Sequence, residues 1–176
     1  MSQQKPARPV INLDELQIED RPAFFQPRGS AAERFNCQTG AIGARIGAQK
    51  LGYNITVVPP GKRAVPLHNH HANEEMFFIL QGNGELRVGD ERWSIRQGDF
   101  IANPPGGPET AHQIINTGGD ELRYLAVSTM ISPEVVEYPD SNKLALISRQ
   151  VAPDGSPRLT RHVARPESSI DYWEGE

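Results

Sequence analysis

A single cysteine, Cys37, stands among 176 residues, so no disulfide can close within the chain. A lone thiol of this kind is expected to be a buried bystander rather than a reactive group. Positive charge is also scarce: 18 Lys and Arg face 22 Asp and Glu, a net charge of -4. That balance argues against a nucleic-acid surface, which needs a basic patch. No apolar run approaches the roughly 20 residues that cross a bilayer. The opening Met1-Ser2-Gln3-Gln4-Lys5-Pro6 lacks the apolar stretch of a secretory signal. The expectation is therefore a cytoplasmic protein that meets neither membrane nor nucleic acid. No solenoid-type repeat and no helix-turn-helix is visible. Asn83-Gly84 and Gly118-Gly119 are turn chemistry, since neither opens a helix.

What the chain does have is punctuation, with 16 Gly and 15 Pro. Hydrophobic residues at 37% and charged residues at 23% suit one globular domain with a core and tails. Residues 1 to 10 are polar and proline-bearing and are expected to fray. Asn12 to Leu16 reads as a short helical turn capped by Asn12. From Gly40 to Val58 two strands are expected, with bends at Gly43 and Gly47. Further strands follow at Met76–Leu80, Glu85–Val88, Glu91–Ile95, Phe100–Ala102, His112–Ile115 and Leu122–Thr129. They are separated by Gln81–Gly84, Gly89-Asp90, Arg96–Asp99, Asn103–Pro108 and Thr117–Asp120. Short strands at this spacing mean an all-β sandwich or barrel. After Pro133 the pattern weakens to a loop at Tyr138–Lys143, a short strand at Leu144–Ser148 and a turn at Pro153–Pro157. The domain reading is an N-terminal extension over 1–39, a β-barrel over 40–132 and a C-terminal extension over 133–176, both extensions being irregular. The last of these is expected to pack on the barrel or on a second copy through Tyr172 and Trp173.

The chemistry concentrates between Gly61 and Gly82. His68 and His70 are two apart, so on an extended chain they project to one face, with Leu67 and Asn69 on the other. Neutral imidazoles bind Zn, Mn, Fe, Ni or Cu, and a carboxylate adds charge and a harder oxygen. Two acids follow, and alternation groups Glu75 with Phe77, Ile79 and Gln81, and Glu74 with Met76, Phe78 and Leu80. Alternation alone leaves open which set faces inward. His112 begins a later strand and is the natural third imidazole, whereas His71 has the opposite parity and His162 lies in the tail, so both are expected at the surface. Lys62 and Arg63 are candidates to hold an anion, and Arg45, Arg87 and Arg123 could each face a pocket.

Over residues 50 to 130 the chain resembles the cupin superfamily, small single-domain members above all. The first motif of that family reads here as Gly61, His68, His70, Glu75, Gly82, and the second as Gly98, Pro104, Gly106, His112, Asn116. The gap from Gly61 to His68 and the loop from Gly106 to His112 are longer than usual, which alters the barrel mouth and leaves the barrel itself intact. The resemblance implies an all-β double-stranded β-helix, a jelly-roll cupin barrel. It implies metal ligands at His68, His70, Glu75 and His112, with Glu74 second to Glu75 because only Glu75 keeps the family's six-residue gap to Gly82. It further implies a divalent transition metal (Zn, Mn, Fe or Ni), a homodimer and a small-molecule substrate. Chains similar through Tyr138–Lys143 and Tyr172-Trp173 are associated with sugar-phosphate isomerase-like activity, in which Glu75 or Glu74 would move the proton. An Fe(II)-dependent dioxygenase and a non-enzymatic ligand-sensing cupin are the alternatives.

Overall fold

The computed structural model describes residues 8–152 and 154–176. The expected fraying of positions 1–7, and Pro153 of the expected Pro153–Pro157 turn, lie outside the described residues. In chain order the strands are β1 (Glu19–Asp20), β2 (Gln38–Ala41), β3 (Leu51–Val58), β4 (Asn69–His70) and β5 (Glu75–Gln81). β6 (Asn83–Val88), β7 (Glu91–Arg96), β8 (Phe100–Asn103) and β9 (His112–Ile115) follow, then β10 (Leu122–Thr129), β11 (Glu134–Tyr138), β12 (Lys143–Val151) and β13 (Pro157–Ala164). A one-turn helix, α1 (Ala31–Arg34), precedes β2. No helix among the described residues is long and apolar enough to cross a membrane.

The strands form a six-stranded sheet in the order β1-β2-β3-β10-β5-β8, a four-stranded sheet β13-β12-β11-β4 and a three-stranded sheet β7-β6-β9. Every pairing in them is antiparallel. The two smaller sheets meet where His68 bridges His112, so together they face the large sheet across a jelly roll. This is the all-β double-stranded β-helix. Alternation decides what lies between the walls. Phe77 and Ile79 of β5 and Leu122 and Tyr124 of β10 point in, against Leu86 of β6, Ile95 of β7 and Ile114 of β9. Ile79 and Leu122 are fully buried, and each such side chain contributes roughly 1.5–3 kcal/mol.

The opposite parity of the large sheet is apolar as well. Ile55 and Val57 of β3, Leu80 of β5 and Leu125 of β10 are covered by Ile42 and Ile46 and by Ile11, Leu16 and Ile18 of the N-terminal segment. That segment is anchored by the expected turn at Leu13–Glu15, where Asn12 and Glu15 form a reciprocal capping box. Between β5 and β6 the expected four-residue turn shrinks to Gly82, at φ +83, where a Cβ would lie 2.5 Å from the Glu121 carbonyl oxygen.

The stretch after Pro133 carries more strand than the sequence suggests: β11, β12 and β13 replace the irregular extension. β11 joins the barrel by pairing Val136 with His70 and Glu137 with Asn69. The β12–β13 hairpin is largely exposed, Ala145 being the buried residue of β12. Polar residues on both faces erase the period-two signal that marks a half-buried strand.

Candidate metal centre

The site is built where the two smaller sheets join. The His68 N–H donates to the His112 carbonyl oxygen at 3.2 Å, and the His112 N–H returns a bond to the His68 carbonyl oxygen at 2.8 Å. His70 ends β4, and Glu75 opens β5 on the inward parity of Phe77 and Ile79. Glu75 Oε2 then lies 3.9 Å from His68 Nε2, 3.6 Å from His70 Nε2 and 3.0 Å from His112 Nε2. The His68 ring centroid is 5.1 Å from that of His70 and 4.7 Å from that of His112. The far nitrogens of two rings are held by main chain: Nδ1 of His68 donates to the Pro66 carbonyl oxygen at 3.0 Å, and Nδ1 of His112 to that of Thr110 at 3.3 Å. Each contact gives Nδ1 a carbonyl acceptor and turns Nε2 toward Glu75, so that a cation bound at Nε2 would leave the ring proton on Nδ1.

Burial pushes the His68 imidazole down to about 3, so this ring is neutral at ordinary pH. Burial alone would raise Glu75, but the hydrogen bonds and charges of the surrounding histidines outweigh it and hold the carboxyl well below its ordinary range. Burial would likewise lower His70, and the Glu75 and Glu134 carboxylates overcome that and raise it. One anion thus sits among three imidazoles.

Of the candidate residues, the structure brings His68, His70, Glu75 and His112 together. Glu74 precedes β5 and is exposed. His71 is exposed, with Nε2 3.2 Å from Glu137 Oε1, and His162 is exposed on β13. Lys62 is engaged by main chain: its ammonium donates to the carbonyl oxygens of Ala32 and Glu33 at the end of α1, at 3.2 and 2.7 Å. Arg87 forms a two-pronged pair with Asp140, Arg123 pairs with Glu121, and Arg45 is exposed. Cys37 is buried in the core, and burial raises its thiol above the ordinary value.

Three residues at the site escaped the sequence reading. Glu134 of β11, 5% exposed, accepts hydrogen bonds from the backbone N–H groups of His71, Ala72 and Asn73 and from the Asn73 side chain, fixing the loop after His70. Its Oε1 lies 4.0 Å from His70 Nδ1. Asn103 of β8 pairs directly with Glu75, so both side chains share the inner face, and its Nδ2 is buried without a hydrogen-bond partner. Tyr138 sets its ring 6.2 Å from that of His68. An acid at the inward parity of Glu134-Val135-Val136 was the available signal for the first. The other two depend on long-range pairing.

The donor set fits a metal ion. His68, His70 and Glu75 each offer one ligand atom within 4.8 Å of the others, and His112 joins through its contact with Glu75. Both ring nitrogens of His70 are buried without a hydrogen-bond partner, which a bound cation would relieve on one side. Atoms that share an ion at about 2.1 Å each lie about 3–3.5 Å apart, close to the separations from Glu75.

The sequence description of the cupin domain matches residues 54–128. An uncharacterized protein of Methanocaldococcus jannaschii is 36% identical over 72 residues, 41% of this chain and 54% of that protein. An oxalate-binding protein of Thermotoga maritima is 34% identical over 74 residues, 42% of this chain and 58% of that protein. The match thus spans little more than half the length of these two relatives. In three dimensions the chain is similar to a sugar phosphate isomerase from Silicibacter pomeroyi, with a TM-score of 0.74 at 21% identity, covering 92% of this chain and 95% of that one. At that identity the likeness is one of fold.

Proposed function

Since residues 54–128 match the cupin domain, we propose that the chain is a metal-dependent enzyme acting on a small, oxygen-rich metabolite, of the sugar-phosphate isomerase kind. The observation that carries this reading is the convergence of three imidazole Nε2 atoms on Glu75 Oε2, at 3.0, 3.6 and 3.9 Å. His68, His70, Glu75 and His112 would hold a divalent ion (Zn, Mn, Fe or Ni), which supplies Lewis acidity toward a carbonyl or hydroxyl oxygen. The remaining chemistry belongs to the chain. Glu75 turns Oε2 to the imidazoles, and its Oε1, which has no hydrogen-bond partner among the described residues, takes the proton from the hydroxyl-bearing carbon and returns it to the neighbouring carbonyl carbon, while the hydroxyl proton passes to the former carbonyl oxygen. Asn103 Nδ2 donates to a substrate oxygen beside Glu75. Phe77, 5.7 Å from the His112 ring, and Tyr124, 5.2 Å from Phe77, form an apolar floor that limits water. Glu74, exposed, has no part in the proton transfer.

Of the proteins named above, one is an oxalate-binding protein and another a sugar phosphate isomerase, and an oxygen-rich anion as the substrate class agrees with both. The test is incubation of metal-loaded protein with aldose and ketose phosphates in deuterated water. Deuterium entering the carbon next to the carbonyl is the expected result. Oxygen consumption by the Fe(II)-loaded protein without exchange would replace this reading with a dioxygenase.

The same reading includes a homodimer. Tyr172 and Trp173 are 84% and 71% exposed, and their rings pack on each other at 4.8 Å. Such apolar surface fits a second copy. A clean monomer by light scattering at working concentration would remove the dimer and leave the enzyme reading intact.

A further inference from the structure

A second concavity, of about 580 Å³, is walled by the loop over residues 63–67 that leads into His68, by the N-terminal segment around α1, and by residues 140–143. None of His68, His70, Glu75 and His112 lines it. Its size is that of a small-molecule site, roughly 300–1,000 Å³. Four of its lining residues are cations: Arg21, Arg34, Arg63 and Lys143. Two are acids, and both are engaged: Asp20 accepts from Gln38 Nε2 at 2.9 Å, and Asp140 receives both prongs of Arg87. Among the described residues none of the four cations forms a salt bridge.

The cations are held by stacking. The Arg34 and Arg63 guanidinium groups share the Phe35 ring at 5.4 and 5.9 Å, Arg21 lies 4.8 Å over Phe25, and Lys143 lies 5.4 Å over Tyr138. Stacking holds the face of a guanidinium and leaves its N–H edge free to grip an oxyanion with two parallel bonds. The wall beneath them is pinned by backbone. Phe35 and Arg63 form a parallel bridge, the Arg63 N–H donates to the Arg34 carbonyl oxygen at 2.9 Å, and the Asn36 N–H donates to that of Arg63 at 3.2 Å. Lys62 ties the end of α1 to the same loop. Asp20, whose neutral Gln38 partner leaves its charge in place, offsets at most one of the four cations, so the hollow keeps an excess of positive charge for an anion to meet.

We infer that this cleft is an oxyanion site, separate from the metal centre and independent of any metal, for a small organic molecule bearing phosphate or clustered carboxylate groups. The phosphate or carboxylates meet Arg34, Arg63, Arg21 and Lys143, and the organic part lies against the apolar lining that carries no cation, Pro27, Ala31, Val65 and Pro66.

The test is titration calorimetry on the metal-stripped full chain with inorganic pyrophosphate and, separately, citrate. Saturable binding of at least one is expected, weakened about ten-fold or more in an Arg34→Gln, Arg63→Gln double variant. Binding should be unchanged in His112→Ala. Preference for pyrophosphate identifies a phosphate ligand, and preference for citrate a polycarboxylate. Failure of both probes to bind the wild type overturns the inference. So does full binding by a double variant whose thermal melt matches the wild type, and so does loss of binding in His112→Ala, which would place the anion at the metal centre. Should the double variant not fold, Lys143→Gln, in a different element, decides: unchanged binding there overturns the inference, and weakened binding supports it.

Discussion

The Nε2 atom of His112 lies 3.0 Å from Glu75 Oε2, while Nδ1 of the same ring faces the Thr110 carbonyl oxygen at 3.3 Å. Carbonyl and carboxylate both only accept, and a neutral ring has one proton to share between them; a cation between Nε2 and Glu75 resolves the conflict and leaves that proton to Nδ1. His68 repeats the arrangement, with Nδ1 on the Pro66 carbonyl oxygen and Nε2 turned to the same carboxylate. Purified protein is therefore expected to carry about one divalent ion per chain. His112→Ala should lose most of it, and His71→Ala, at an exposed ring paired with Glu137, should lose none. Elemental analysis reads both. Equal loss in the two variants, or full retention in a His68→Ala, His70→Ala double variant, removes the site.

The adjacent acids make a sharper comparison. Glu75 faces inward and Glu74 is exposed. Glu75→Gln removes the anion shared by three imidazoles and should abolish metal retention and turnover. Glu74→Gln should keep both and change stability by no more than about 0.5 kcal/mol. Metal analysis and a denaturation curve for each variant suffice. The reverse outcome would mean that β5 is shifted by one residue, exchanging every inward side chain for its neighbour.

These assignments were legible because the signals that carry them are local. β9 and β10 fall on the ranges read from alternation and turn residues, His112–Ile115 and Leu122–Thr129. The spacing from Glu75 to Gly82 separated two acids that alternation could not, and Gly82 proves to be the tight link between β5 and β6. What stayed hidden depends on long-range pairing. Glu134 reaches the loop after His70 only because β11 pairs with β4. Asn103 joins the site only through its register with Glu75. The cationic cleft needs Phe35 and Arg63 bridged across the N-terminal segment. Of the β12–β13 hairpin the pattern carried only the middle of β12, read as a short strand at Leu144–Ser148, and the turn before β13, because the hairpin buries little on either face.

Glu134 ought to be a positioning residue with a measurable effect. Its carboxylate accepts three backbone N–H bonds from residues 71–73 and lies 4.0 Å from His70 Nδ1. Glu134→Gln removes the charge and puts donors where acceptors are needed. A loss of about 2 kcal/mol in stability is expected, with metal affinity falling by about ten-fold or more because His70 loses its electrostatic support. Urea denaturation of the metal-stripped protein and competition with a chelator measure the two separately. A fall in stability with unchanged metal affinity would confine Glu134 to holding the loop.

The metal-free protein should be most stable near pH 6.5, for reasons that differ on the two sides. Burial holds His68 at about 3 in the folded chain, against 6.5 when unfolded. Between those values the unfolded chain binds a proton that the folded chain refuses, so stability falls as the pH drops below 6.5. From pH 6.5 to 5.5 the loss from this ring is about 1 kcal/mol. Glu75, held below its ordinary 4.5 in the fold, adds to the loss at still lower pH. His70 acts in the opposite sense. Its folded value is raised above 6.5 by Glu75 and Glu134, so the stability it contributes is complete below 6.5 and disappears as the pH rises through that raised value. Urea midpoints of the stripped protein at pH 5, 6.5 and 8 should therefore pass through a maximum at the middle value. Undiminished stability at pH 5 would contradict a buried neutral His68, and a midpoint at pH 8 as high as at 6.5 would mean that His70 is not held charged by its two carboxylates.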